Sequence, residues 1–252
     1  MQEDVKKDMG RYAIETKGLV KKYKDVVAVD NLNLAVCEGE TYALLGVNGA
    51  GKTTTIRMLA CLTAPTAGDA ILLGKSIRTE ASAIKSCIAL SPQETAIAPT
   101  LSVRENLELI AGVNGIAKDR RESKIRELCD MFDLHTLGNK RAGKLSGGWQ
   151  RRLSIAMALI SEPRILIMDE PTLGLDVIAR SELWEIIRSL KGRVSVILTT
   201  HYMEEAEALA DRVGIMKAGR LLVSDTPENI KFFAGVDRFQ EAFIRIVKEE
   251  KT

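Results

Sequence analysis

Residues 46–53 read GVNGAGKT, the pattern GxxxxGK followed by Ser or Thr. An apolar run precedes it (ETYALLG, 40–46), and TTTIRMLACL with helical spacing follows Lys52 and stops before Pro65. A buried strand, a glycine turn and a helix in that order restrict the chain to architectures in which a sheet holds a tight turn at its edge. Glycines let successive backbone N–H groups turn toward phosphate oxygens, and the helix start adds the positive end of its dipole. Lys52 brings a point charge to the outer phosphates, and the Thr53 hydroxyl can ligate Mg²⁺. The candidate nucleotide-binding set in this turn is Gly46, Asn48, Gly49, Ala50, Gly51, Lys52, Thr53 and Thr54. A glycine turn arising by chance is the alternative, and the matching strand and helix on either side weigh against it.

The surrounding chain reads as alternating elements. YAIETKGLVKKY and VVAVDNLNLAV, within 12–36, predict short strands with polar turns, and GDAILLG and CIALS predict further strands. From about residue 99 to 159 the texture becomes helical. SVRENLELIAGVNGI opens on Ser102 with Glu105 three residues on, a capping-box start, and ESKIRELCDMFDL follows at helical spacing. PRILIMDE, VSVILTT and DRVGIM then predict strands separated by helices such as IARSELWEIIRSL. Alternation of this kind implies a largely parallel sheet covered on both faces, with a helical block inserted at about 94–160.

Composition excludes several classes. The net charge is +2 and aromatics are 4% of residues, so neither a basic stripe nor a base-stacking platform for nucleic acid is indicated. Cys37, Cys61, Cys87 and Cys129 are far apart and form no CxxC pair, which argues against a disulfide framework or a zinc site and for small buried side chains in a reducing cytosol. The charged start MQEDVKKDMGRY lacks an apolar core for a secretory signal. No stretch approaches the roughly 20 consecutive apolar residues of a spanning helix. If the protein works at a membrane, another polypeptide crosses it.

A second anion-receptive helix start lies at Leu145, Ser146, Gly147, Gly148, Trp149 and Gln150, ahead of RRLSIAMALI. The glycine loop, this LSGG element, the strand ending in Asp169 and Glu170, and the downstream His201 occur in an order and spacing that resemble the nucleotide-binding subunits of ABC transporters. The resemblance runs from about residue 12 to 233. It implies a single α/β domain over 1–252: a P-loop NTPase with a RecA-like, mostly parallel sheet, an N-terminal antiparallel β subdomain and the inserted helical subdomain. It implies ATP and Mg²⁺ as ligands. It further implies a homodimer, or a pair with a close paralogue, in which Ser146, Gly147 and Gly148 of one copy complete the site of the other.

Other roles follow from the same resemblance. Asp169 would steady Mg²⁺ and Glu170 would act as general base, both at the carboxyl end of a buried strand, where open α/β sheets bind ligands. Gln93 would contact Mg²⁺ and sense the γ-phosphate; His201 would hydrogen-bond that phosphate; Tyr23 would stack on adenine; Asp176, in TLGLD, would bridge the subunits. His135, in the polar run DLHTLGNK, reads as a solvated residue. Trp149 stands where the signature commonly has Gln, and LGLD replaces the more frequent ALD. These departures, with SGGWQRRLSIAMALI, look most like drug-exporter ATPases of the daunorubicin-resistance type.

The implied function is that of an ATP-hydrolysing subunit driving a transmembrane permease on a separate chain, cytoplasmic and peripheral at the inner face of the membrane. The permease would dock beside Gln93 and the helical block. A soluble non-transport ABC ATPase is one alternative, though long heptad arms, a second cassette and a basic stripe are missing. A weakly hydrolysing nucleotide-gated interaction module is another, against which Glu170 and His201 argue. DRFQEAFIRIVKEEKT closes the chain as an amphipathic helix expected over about 236–250, with Phe239, Phe243, Ile246 and Val247 on one face. Packing on its own domain or contact with a partner would each use that face.

Overall fold

The structure, a computed structural model, describes residues 12–249. The charged N-terminal stretch up to residue 11 and the last residue of the expected C-terminal helix, residue 250, lie outside the described residues.

Two sheets carry the molecule. The first is antiparallel and built around β1 (Tyr12–Tyr23), which pairs with β2 (Val26–Leu32), β3 (Ala35–Cys37) and β5 (Ala67–Leu72); β6 (Lys75–Ser76) extends it beyond β5. β1 is a single 12-residue strand rather than a short one, because three partners share its length. VVAVDNLNLAV, in contrast, breaks into two strands. At the break Thr16 donates its hydroxyl to Leu32 O at 2.9 Å and accepts from Leu34 N at 2.8 Å, so one side chain satisfies the backbone where the ladder lapses. Gly68 sits at a bulge where β1 and β5 approach so closely that a Cβ would lie 2.0 Å from Gly18 O, and its φ of +70° is in the left-handed region.

The second sheet has the order β11-β10-β4-β9-β8-β7. Its strands β7 (Ile88–Ser91), β8 (Ile165–Asp169), β9 (Ser195–Thr200), β4 (Thr41–Gly46) and β10 (Arg212–Lys217) are parallel, and β11 (Arg220–Asp225) closes the edge antiparallel to β10. Being buried on both faces, the central strands read as continuous apolar runs. Alternate residues divide between two cores. Tyr42, Leu44, Ile165, Ile167 and Ile197 face the antiparallel sheet and α1 (Lys52–Leu59). Ala43, Leu45, Leu166, Met168, Val196 and Leu198 face the helices on the other side.

Those helices include the block between β7 and β8: α3 (Val103–Val113), α4 (Lys118–Met131) and α5 (Gly147–Leu159), following the short α2 (Ala81–Lys85) that precedes β7. Ser102 begins α3 with the capping box anticipated above: its side chain accepts from Glu105 N at 3.2 Å, and Glu105 accepts from Ser102 N at 2.7 Å. Beyond β8 come α6 (Val177–Ser189), α7 (Met203–Leu209), α8 (Pro227–Ala234) and α9 (Phe239–Glu249). Phe239 and Phe243 of α9 are buried in the main core, with Ile246 and Val247 packed against it, so this amphipathic face is spent on the chain's own domain. The four cysteines are free, and burial pushes the Cys37, Cys61 and Cys129 thiols up. His135 stands at the surface against Asp130.

Candidate functional site

Four parallel strands end at one cleft. After β4 comes the glycine turn; after β8, Glu170; after β9, His201; after β7, the loop bearing Gln93. The cleft, of about 590 Å³, is lined by Asn48, Gly49, Ala50, Gly51, Lys52, Thr53, Thr54, Gln93, Glu170 and His201, with Val26, Val27 and Ala28 from the antiparallel sheet along one wall. The carboxyl edge of an open α/β sheet is where such a crevice forms.

The turn is shaped for an anion. Gly51, at φ +103°, immediately precedes α1, and a Cβ there would come 2.4 Å from Ala28 O, so only glycine fits. No side chain caps α1 and no acid lies in its first turn, which leaves the first-turn amides and the positive dipole end directed at the cleft. The donor set therefore suits phosphate oxygens.

Lys52 is 5% exposed, and its ammonium donates to Gly46 O at 2.7 Å and reaches Glu170 Oε1 at 3.4 Å. His201 Nδ1 lies 2.7 Å from Glu170 Oε2. Each Glu170 oxygen is thus held by one nitrogenous side chain. The Glu170 backbone has φ +47°, a left-handed conformation that costs a non-glycine residue about 1–2 kcal/mol. It is held there by hydrogen bonds from its N–H to Thr199 O at 3.1 Å and Thr199 Oγ1 at 3.0 Å. The same Thr199 hydroxyl donates to Asp169 Oδ1 at 2.5 Å, and Thr53 Oγ1 lies 3.3 Å from that oxygen. Thr53 and Asp169 therefore face each other with one hydroxyl and one carboxylate. Among the described residues no cluster of three or more His, Cys, Asp or Glu side chains could cage a metal.

Several residues that lack an obvious sequence signal support this geometry. Arg151 of α5 is 4% exposed and donates to four main-chain carbonyls: Pro171 O at 2.7 Å, Asp169 O at 2.8 Å, Gln93 O at 3.3 Å, and Pro92 O. Burial pulls its guanidinium down to about 10, partly offset by the charges of Asp169 and Glu205. Glu205 of α7 is 1% exposed and accepts from Thr172 Oγ1 at 2.7 Å and Trp184 Nε1 at 3.2 Å; burial raises its carboxyl above the ordinary value. In sequence, Arg151 and Glu205 are an unremarked Arg and Glu on helices. Only the fold shows that both sit under the cleft.

The other candidate residues lie elsewhere. Ser146, Gly147 and Gly148 begin α5 outside the cleft lining; Ser146 and Gly147 are exposed, and the Ser146 side chain makes no cap hydrogen bond. Asp176 is exposed and caps α6 by accepting from Ile178 N at 3.0 Å and Ala179 N at 2.9 Å. Tyr23, the last residue of β1, is 45% exposed beside Lys21 and outside the lining formed by Val26 to Ala28.

Fold and cleft together define a P-loop nucleotide-binding protein of the α/β class. The sequence profile of the ABC transporter family matches residues 29–173. The chain is 42% identical to the daunorubicin resistance ATP-binding protein DrrA3 of Streptomyces coeruleorubidus over 91% of its length and 73% of the relative's. It is 40% identical to the Nod factor export ATP-binding protein I of Rhizobium sp. (strain N33), over 87% and 72%. Among solved structures, an ATP-binding subunit of an ABC transporter superposes with a TM-score of 0.83 at 27% identity, covering 93% of this chain and 99% of that one. The dimeric post-hydrolysis state of an ATP-binding cassette bound to ADP and Pi gives 0.77 at 27% identity, over 84% and 98%. The chain belongs to the ABC transporter ATP-binding family: it is an ATPase and a motor subunit of that class. Among the described residues no helix is long and apolar enough to cross a membrane.

Proposed function

We propose that this ATPase powers an exporter whose membrane-spanning part is a separate permease, working at the inner face of the membrane through ATP-driven closure of two copies. The observation that carries this reading is Glu170, held between Lys52 and His201 over the glycine turn. In it, the γ-phosphate of ATP draws Lys52 away from Glu170 Oε1. That oxygen then accepts a proton from the attacking water, while His201 keeps Oε2 oriented and the turn amides hold the phosphates. Thr53 and Asp169, with Gln93 lining the same cleft, would hold Mg²⁺, which would supply neutralisation of phosphate charge. Tyr23, exposed at the end of β1, offers adenine a ring.

Two features support the second copy. Ser146 and Gly147 are exposed, the Ser146 hydroxyl caps nothing and neither residue lines the chain's own cleft, which leaves this helix start available to a phosphate held by another copy. Next to Asp176, Val177 and Ile178 are 78% and 72% exposed, an apolar pair suited to burial in such a contact. Export rather than import rests on similarity to the relatives named for daunorubicin resistance and Nod factor export.

The test is nucleotide titration with size-exclusion chromatography. Lys52→Ala is expected to weaken ATP binding about tenfold or more. Glu170→Gln is expected to bind ATP, lose turnover by on the order of a hundredfold or more, and accumulate as a dimer in ATP and Mg²⁺. A Glu170→Gln protein that hydrolyses at the wild-type rate, or stays monomeric at saturating ATP, contradicts the reading.

A further inference from the structure

The cleft and the second anion-receptive helix start are separate: Ser146, Gly147 and Gly148 are not among the residues that line the cleft. Arg151 connects them. It lies on α5, whose first residues are the two glycines after Ser146, and its guanidinium spans two loops that meet in the cleft. One is the loop after β7, gripped at Pro92 O and Gln93 O; the other is the turn after β8, gripped at Asp169 O and Pro171 O. Ser154, one turn further along α5, adds a weaker tie, its hydroxyl oxygen accepting from Ala96 N at 3.4 Å.

This arrangement is not a default way to bury an arginine. Its four acceptors are neutral carbonyls, whereas burial of a charge ordinarily requires a direct counter-ion. Its neighbour Arg152 follows the ordinary pattern, pairing with Asp133 at 3.2 Å and Glu182 at 2.5 Å and stacking over Trp149 at 4.5 Å. Only a planar fork with five donors reaches acceptors on both loops at once; an ammonium at the same place is a compact point donor. The grip is on backbone. The Gln93 side chain stays exposed and able to swing, while its carbonyl is fixed relative to the turn that carries Glu170.

We propose that Arg151 is a positioning residue that locks the Gln93 loop to the Asp169–Pro171 turn and ties both to α5. The backbone at Gln93 and the turn carrying Glu170 are thereby held at a fixed placement relative to the helix that begins at the Ser146 face. The guanidinium is not part of the cleft lining; it acts through the loops it holds. The inference rests on the two-copy reading above and adds the internal link between a chain's own site and its partner's.

The test compares wild type, Arg151→Lys and Arg151→Met as full chains, with folding monitored by thermal unfolding. Turnover is measured against ATP concentration, and affinity for a non-hydrolysable ATP analogue is measured separately. The same substitutions in a Glu170→Gln background are scored for ATP-dependent dimer by size exclusion. Arg151→Lys is expected to keep analogue affinity within about twofold, lose kcat about tenfold, and form markedly less dimer than Glu170→Gln alone, because charge remains but the fork is lost. Arg151→Lys with wild-type kcat and undiminished dimer overturns the proposal. So does a loss of analogue affinity in proportion to kcat together with a fallen Tm, which marks a merely structural role. Failure of wild type to hydrolyse, or of Glu170→Gln alone to dimerise, instead removes the two-copy reading and this inference with it.

Discussion

Thr199 shows how much of the site's geometry one side chain can carry. Its hydroxyl donates to Asp169 and accepts from Glu170 N, so it fixes the Asp169 carboxylate and the left-handed backbone of Glu170 together. Thr199→Val keeps the shape, removes both bonds and leaves the buried Asp169 oxygen without its shortest donor. A buried group that loses its partner costs about 1–3 kcal/mol. The substitution is therefore expected to lower stability by about that amount in urea unfolding and to reduce kcat by roughly tenfold, with ATP affinity little changed. Undiminished kcat in the folded variant contradicts the assigned role. Glu205 makes a pH prediction. Burial raises its folded-state value, so the native state holds a proton that the unfolded chain releases near its ordinary value of about 4.3. Its stabilising contribution is complete below that value and is lost as pH rises through the raised folded value. Glu205→Gln removes the titration; its Tm relative to wild type is expected to rise over the pH range that opens above about 4.3. A constant difference across that range argues against it. These residues also mark the limit of sequence reading: Lys52, Asp169, Glu170 and His201 are legible because fixed spacings tie them to strand ends. Thr199, Glu205 and Arg151 act through register and through contacts across 18 to 59 positions of chain, for which no local spacing exists.

At the scale of elements, the local signals and the structure agree where one short segment contains its own cause. The Ser102 capping box forms because both partners lie within four residues, and α9 forms where its apolar stripe finds the main core. Agreement is poorer where pairing decides. The length of β1 and the split of VVAVDNLNLAV depend on which of three strands each residue meets, and alternation alone does not encode that. α3 allows a clean test, because its cap is far from the cleft in function. Ser102→Ala is expected to cost about 1 kcal/mol of stability, with ATP turnover per folded molecule within about twofold of wild type. Denaturant unfolding and steady-state ATPase assays check the two halves. A loss of turnover much larger than the loss of folded protein indicates that α3 does more than pack.

On the scale of the whole molecule, two anion-receptive helix starts are separate: α1 opens at the cleft, and the first residues of α5 are not part of its lining. In the proposed head-to-tail pair the two starts, taken from different copies, meet at one phosphate. The central claim is that each working site takes Lys52 and Glu170 from one copy and Ser146 from another. Mixing two inactive variants tests it most directly. Lys52→Ala lacks a working cleft but keeps its Ser146 face; Ser146→Arg keeps the cleft but blocks that face. Each alone is expected to be inactive, and an equimolar mixture is expected to recover about a quarter of wild-type ATPase activity, since half of random dimers are mixed and each mixed dimer holds one intact site. A mixture as inactive as its components, or a Ser146→Arg protein fully active alone, contradicts the account.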